Sequence, residues 1–264
     1  MWNELRFALY AIKKNIQNSA ELRTSFVMNI VGMAVNNIAF IILWTFFIQS
    51  VGIINGWTMT DIIGLQGFVA LNLGIVYSIA AGIRKFPETI SNGSFDRVLL
   101  SPKSLLIRVA TSSFGVAPVG DVLFGIICLG IYGVLLHVSL LQVLFICLLV
   151  IAATTIFFAV VVIISSISFL LTDPIDVAMG LSDFFITPSI FHGGVFQGAT
   201  RFVFTFLVPS LLIGSIPVEI VRDISLLKLL LLCVLAPIWL CLAIWIFHRG
   251  VRKYESANFM TFGG

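Results

Sequence analysis

From Val122 to Thr172 the chain carries no Asp, Glu, Lys or Arg. A hydrocarbon layer takes roughly 20 apolar residues per helix, so this one interval holds two membrane spans with a tight turn between them at His137-Val138-Ser139. The rest of the chain agrees. Of its 264 residues, 59% are hydrophobic and 10% are charged, where soluble domains carry about 25% charged residues. Mean hydropathy is +1.12. The apolar runs are continuous and do not alternate, which argues against a β-barrel. The fold class is an all-α membrane protein.

Charges and helix breakers divide the remaining sequence. Residues 1–25 set Trp2, Leu5, Leu9, Ile12 and Ile16 at helical spacing, with Arg6, Lys13, Lys14 and Arg23 beside them. Such a helix lies in the membrane interface with its apolar face toward lipid. The segment lacks the compact apolar core of a cleavable signal peptide. Six transmembrane helices are expected at 26–48, 61–82, 109–136, 140–171, 174–192 and 226–247. In the first, Asn29, Asn36 and Asn37 call for partners on other helices. In the second, Gly64, Gly67 and Gly74 allow a close helix neighbour. Pro118 is expected to bend the third. Thr172-Asp173-Pro174 reads as a break followed by a capped restart.

Residues 196–223 are apolar but are broken by Gly198, Pro209, Gly214 and Pro217. Re-entrant short helices on the outer side, hinged at Pro209 and Pro217, avoid the backbone hydrogen bonds a continuous span would lose. Arg201 and Arg222 would then reach headgroups. The rival reading makes 202–216 the fifth span and 176–192 a helix on the inner surface.

Orientation follows from the fifteen Lys and Arg. Four lie in the N-terminal segment, five in 83–108 (Arg84, Lys85, Arg97, Lys103, Arg108) and three in the tail (Arg249, Arg252, Lys253). An even number of spans separates these segments, so all three, and both termini, are placed on the cytoplasmic side. Segment 83–108 is the densest polar island. Pro87, Asn92-Gly93 and Pro102 punctuate it, and Phe86, Phe95, Val98, Leu99 and Leu100 give it an apolar face. On the water side such a face needs a cover, either headgroups or a soluble partner.

No catalytic constellation is present. There is no GxxxxGK[ST], HExxH or GxSxG, so the chain has no phosphate cradle of its own and is not expected to be an enzyme. No metal site is expected, because His137, His192 and His248 are scattered and the four cysteines sit in apolar runs, where they read as small buried hydrophobes. The net charge of +3 gives no argument for a nucleic-acid partner. Asp121 and Asp183 are carboxyls inside apolar runs, and such groups are functional candidates by default. Taken alone they fit a proton-coupled secondary carrier. A membrane-bound anchoring subunit is a weaker third reading.

The order of parts resembles the permease subunits of type-2 ABC exporters, in the subgroup of six-span chains. The resemblance is carried by the loop reading Glu88-x4-Gly93-Ser94-Phe95-Asp96-Arg97-Val98-Leu99-Leu100-Ser101-Pro102, which is similar to the family's G-x-[LF]-D-x-x-L-x-x-P. It is also carried by Phe206-Leu207-Val208-Pro209, Ile216-Pro217 and the tail Arg252-Lys253-Tyr254-Glu255-Ser256-Ala257. The irregular region 172–200 and Arg201 depart from it. The resemblance implies a cytoplasmic coupling helix in 83–108 that docks on a separate ATP-hydrolysing subunit. The implied contact residues are Phe86, Glu88, Gly93, Phe95, Asp96, Arg97, Leu99, Leu100 and Pro102. It further implies two ATPase subunits that bind ATP and Mg, a second permease chain, identical or homologous, and a bacterial or archaeal plasma membrane.

Overall fold

The computed structural model describes residues 2–51 and 56–254, without the side chains of residue 2 and residues 47–51. Glu255-Ser256-Ala257 of the tail motif lie outside the described residues. Helix α1 (Trp2–Ala20) precedes α2 (Arg23–Val51) and α3 (Met59–Ile79). Four short helices follow: α4 (Ala81–Arg84), α5 (Phe86–Ser91), α6 (Phe95–Leu99) and α7 (Leu105–Ala110). Then come α8 (Pro118–Leu135), α9 (Leu140–Ser166) with a 3-10 turn at Ile167–Leu170, and α10 (Ile175–Ser189). The segment after α10 holds α11 (Ala199–Phe202) and α12 (Ser215–Asp223), and α13 (Leu226–Lys253) ends the described chain.

Among the described residues five helices are long and apolar enough to cross a membrane: Arg23–Phe46, Met59–Ile79, Pro118–Leu135, Leu140–Leu170 and Leu226–Lys253. Helix α10 has 15 residues, about 22 Å at 1.5 Å per residue, and falls short of a hydrocarbon core of about 30 Å. It nevertheless starts beside α5 and the 167–170 turn, and the residues just after it reach Trp44 and Trp57 at the other end of the bundle. Six crossings are reached only if α10 is counted.

Helix α3 is the centre. It packs along α8 and against α9 and α12, while α9 packs against α13 and α2 lies outside α8. Small residues set the α3–α8 distance. A Cβ on Gly74 would meet Val122 N at 2.6 Å, and one on Gly125 would meet Leu71 N at 2.6 Å. Without side chains at these points the two backbones come close enough for van der Waals packing to hold helices in lipid. Helix α2 touches the bundle along one stripe, with Ile30 and Met33 against Gly120 and Asn37 bonded to Asp121. Val27, Val31, Val35, Ile38 and Ile42 face outward.

The third span differs from expectation. Pro118 does not bend a helix over 109–136; it starts α8 as the first residue, after α7 and an irregular stretch. At that position its missing N–H is one that no helix would have used. At the restart before α10, Pro174 occupies the cap position and no side chain caps it. The turn after α8 is tight because His137 adopts φ 52° and the Val138 N–H bonds back to Gly133 O at 3.0 Å, closing the helix end. Ser139 and Gln142 then cap α9 reciprocally. Of the cysteines only Cys128 is buried; Cys147 and Cys241 are exposed on α9 and α13, where an apolar membrane surrounds them equally well.

Candidate functional site

The loop 83–108 is fastened to the bundle by its aromatic residues. Phe86 and Phe95 are both 0% exposed. Their rings lie 5.2 Å apart, and Phe169 packs on both at 5.1 and 5.6 Å. Phe247 meets Phe86 at 5.8 Å and Tyr254 meets Phe95 at 5.1 Å. Tyr254 also donates its hydroxyl to Asp96 Oδ1 at 3.1 Å. Gly250 leaves room for this cluster, since a Cβ there would lie 2.2 Å from the Phe169 ring. The two phenylalanines expected on the docking face therefore point the other way, because five rings bury each other better than a loop surface could.

What remains outward is a second face. Glu88, Arg97 and Pro102 are exposed, Leu99 is 39% exposed and Leu100 is 86% exposed. Gly93 has φ 69°, a left-handed turn that glycine adopts without steric cost. Asn92 Oδ1 accepts from Ser94 N at 3.0 Å and fixes that turn. Helix α1 is tied to the same loop: Ser104 N donates to Glu4 Oε2 at 3.2 Å, and Asn15 Nδ2 donates to Thr111 O at 2.8 Å. Leu5, Leu9, Tyr10 and Ile16 of α1 remain exposed, the face an interfacial helix lays on lipid.

The two intramembrane carboxyls have different surroundings. Asp121 is buried and accepts a hydrogen bond from the Asn37 amide, which joins α2 to α8. Asp183 is exposed on α10 and lines a cavity of about 660 Å³ with Tyr77, Arg84, Lys85 and Glu88. Of the three asparagines in α2, only Asn37 bonds to another helix. Asn29 donates to Ser25 O of its own helix at 2.7 Å, and Asn36 faces outward.

The segment after α10 runs through α11, a π-helical turn at Val203–Leu207, a 3-10 turn at Ser210–Ile213, and α12. No continuous helix spans 202–216. Pro209 sits at the break, whereas Pro217 is the third residue of α12, within the first turn, where a proline removes no helical bond. Only the first of the two expected hinges is a hinge. Leu211, Leu212 and Ile213 are fully buried, so their freed backbone needs partners from the protein. Asn72 Nδ2 donates to Ile213 O at 2.9 Å, and Thr154 donates to Asn72 Oδ1 at 2.7 Å. Ser215 Oγ donates to Phe191 O at 3.0 Å, and Tyr132 OH reaches Val218 O at 3.4 Å.

Arg201 and Arg222 do not reach for headgroups. Arg201 grips Glu219 through two bonds of 2.8 and 2.7 Å, and Lys228 adds a third at 2.9 Å. Arg222 lies 3.6 Å from Asp61 and over the Trp57 ring at 5.7 Å. Burial works against its charged form, but Asp223, Asp61 and Glu219 outweigh this and raise its pKa above the usual arginine value. Asp61 in turn caps α3 with Thr58. Buried acids explain the inward turn: an unpaired Glu219, 5% exposed, is costlier than a lost headgroup contact. The sequence pointed to this, since Glu219 is the one acid between Arg201 and Arg222. The roles of Phe169, Phe247 and Asn72 had no such signal.

Among the described residues no group of His, Cys, Asp and Glu could hold a metal ion. No curated protein and no solved structure matches the chain. One family model, described as ABC-2 family transporter protein, matches residues 34–258. It takes in α2 from residue 34 onward, the later membrane helices, the aromatic-anchored loop and the broken segment after α10, and by this match the chain belongs to the ABC-2 family of transporter proteins.

Proposed function

We propose that this permease moves a hydrophobic or amphipathic substrate out of the cell, driven by ATP hydrolysis in two separate ATPase subunits. The chain itself performs no catalysis; ATP and Mg belong to the partners. The observation that carries this reading is the loop's division of labour. Leu99 and Leu100 stand out into water beside Arg97 and Glu88, the composition of an interface anchor with a charged rim. Behind them Phe86 and Phe95 are locked to Phe169 and Phe247, at the cytoplasmic ends of α9 and α13. A push on the exposed face is passed to two membrane helices without slack.

A second permease chain, identical or homologous, completes the unit. Support comes from α2: Asn36 presents an amide outward from the middle of an apolar helix, and an amide facing lipid lacks the hydrogen bonds a neighbouring helix supplies. The substrate path then runs between α2 and α10 of the paired chains, closed on the outside by the segment 196–223. Both termini lie in the cytoplasm of a bacterial or archaeal cell, with α1 on the inner surface.

Co-expression with its ATPase tests the reading. The two proteins purify together, the complex hydrolyses ATP in liposomes, and the permease alone does not. Gradient-driven transport by the permease alone, through Asp121 or Asp183, would overturn it.

A further inference from the structure

The cavity of about 660 Å³ lies between α2 and α10 at the cytoplasmic end of the bundle, with Tyr77, Ala81 and Ser165 on its walls. Its size is that of a small-molecule site. Four charged side chains line it in a chain that has few: Arg84, Lys85, Glu88 and Asp183. All four are exposed to the cavity or its mouth. Two are cations and two are carboxylates, yet no ion pair joins them among the described residues.

The placement of the signs is uneven. Arg84 ends α4 and Lys85 joins it to α5, where the chain enters the loop, and the Arg84 guanidinium sits 4.9 Å over the Tyr77 ring. Asp183 lies more than two turns along α10 from Ile175, further toward the membrane interior. Phe114, Val161, Met179 and Ile186 add apolar surface to the same wall. A purely anionic ligand would meet two carboxylates here, and a purely cationic one would meet two cations. A ligand with both charges, separated by a few bonds, satisfies both ends.

Resting on the exporter reading, we propose that this cavity is the loading site for the headgroup of a zwitterionic lipid-like amphipath. Its phosphate binds Arg84 and Lys85 at the mouth, its ammonium binds Asp183, and its tail follows the apolar wall toward the membrane. Charge-assisted hydrogen bonds at both ends give recognition that an apolar groove alone cannot. Glu88 at the rim repels headgroups of net negative charge.

The test uses the full chain in amphipol and three probes in calorimetric titration: dihexanoyl phosphatidylethanolamine, dihexanoyl phosphatidylglycerol and inorganic phosphate. The ethanolamine probe binds about tenfold more tightly than the glycerol probe, the worth of one charged hydrogen bond, and phosphate alone binds far more weakly than either. Asp183→Asn removes most of the preference, what is left being Glu88's repulsion of the glycerol probe; Arg84→Gln weakens both lipids alike. Equal affinity for the two lipids, phosphate binding as tight as the ethanolamine probe, or an intact preference in Asp183→Asn would each sink the proposal. Titration needs no ATPase, so its failure beside a working transport complex rejects the site alone. Failed ATPase association beside normal lipid binding rejects the exporter reading alone.

Discussion

The chain interrupts its membrane helices over 81–110, on the face proposed to be cytoplasmic, and over 193–223, on the face proposed to be outer, and the two breaks are held by different chemistry. The inner one uses rings: Phe95 and Tyr254, Phe86 and Phe95, Phe95 and Phe169, and Phe169 and Phe247 pack edge to face. Its backbone can turn to water for hydrogen bonds, so apolar packing is all that must be supplied. The outer one is buried, with Leu211, Leu212 and Ile213 closed off from solvent. There a freed carbonyl needs a donor from the protein, and Asn72 supplies one to Ile213 O. A break in water needs an anchor, and a break in the membrane needs hydrogen-bond donors.

The largest effect should follow loss of an inner anchor. Phe95→Ala removes a fully buried ring from the middle of the cluster, and truncations of this kind cost about 3–5 kcal/mol. Thermal unfolding in detergent, followed by tryptophan fluorescence, should show a marked fall in midpoint. If the midpoint hardly moved, the ring would not be the anchor and would be available to a partner after all.

On the outer side the sensitive residue is Glu219. Glu219→Gln leaves Arg201 and Lys228 close together with no acid between them. Breaking a fully buried pair costs about 3–5 kcal/mol. The two cations are 38% and 40% exposed, so water screens part of the loss, and about 2 kcal/mol is expected. Raising salt should narrow the gap between variant and parent. A salt-independent loss would mean that Glu219 acts through packing and not through charge.

Asn72→Leu comes next. It keeps the volume of the α3 side chain but removes the donor to Ile213 O and the acceptor for Thr154. One orphaned buried group costs about 1–2 kcal/mol. Asn72→Leu combined with Thr154→Val should be no worse than the single change, because the second orphan disappears with its partner. Additive losses would show that the two side chains are not one network.

These residues also mark the limit of what the sequence discloses. The membrane helices were legible because lipid demands long uncharged runs, and Gly64, Gly67 and Gly74 foretold the close α3–α8 contact. Family membership was legible in the loop and tail motifs. The direction of Phe86 and Phe95 was not. On helices of five or six residues no periodicity can tell an inward ring from an outward one, and the deciding partners, Phe169 and Phe247, lie far along the chain. Pro118 and Pro217 misled for one reason: a proline inside an apolar run looks like a kink until the first helical turn is known to begin there. Arg222 looked free because its acid, Asp61, lies far back along the chain at the start of α3.

The smallest effect on stability should come from the exposed face of the inner loop, and there the two breaks part most clearly. Leu99 and Leu100 rest on α6, a helix held by Phe95 behind it, and Leu100 is almost entirely in contact with water. Replacing both with Ser removes little covered surface at Leu100 and about three-fifths of a leucine at Leu99, so stability should fall by only about 1 kcal/mol. The same change strips the apolar centre from the proposed ATPase contact, where anchors of this kind contribute about 2 kcal/mol or more. Affinity for the ATPase subunit should fall at least about tenfold, with Arg97→Glu at the rim acting mainly on the association rate and its salt dependence. Comparable changes on the outer break, such as Leu211→Ser or Leu212→Ser, would unfold the segment before any partner could be tested. A double-serine variant that unfolds would place Leu99 and Leu100 in the core. One that stays folded and keeps full ATPase affinity would move the coupling contact elsewhere in 83–108.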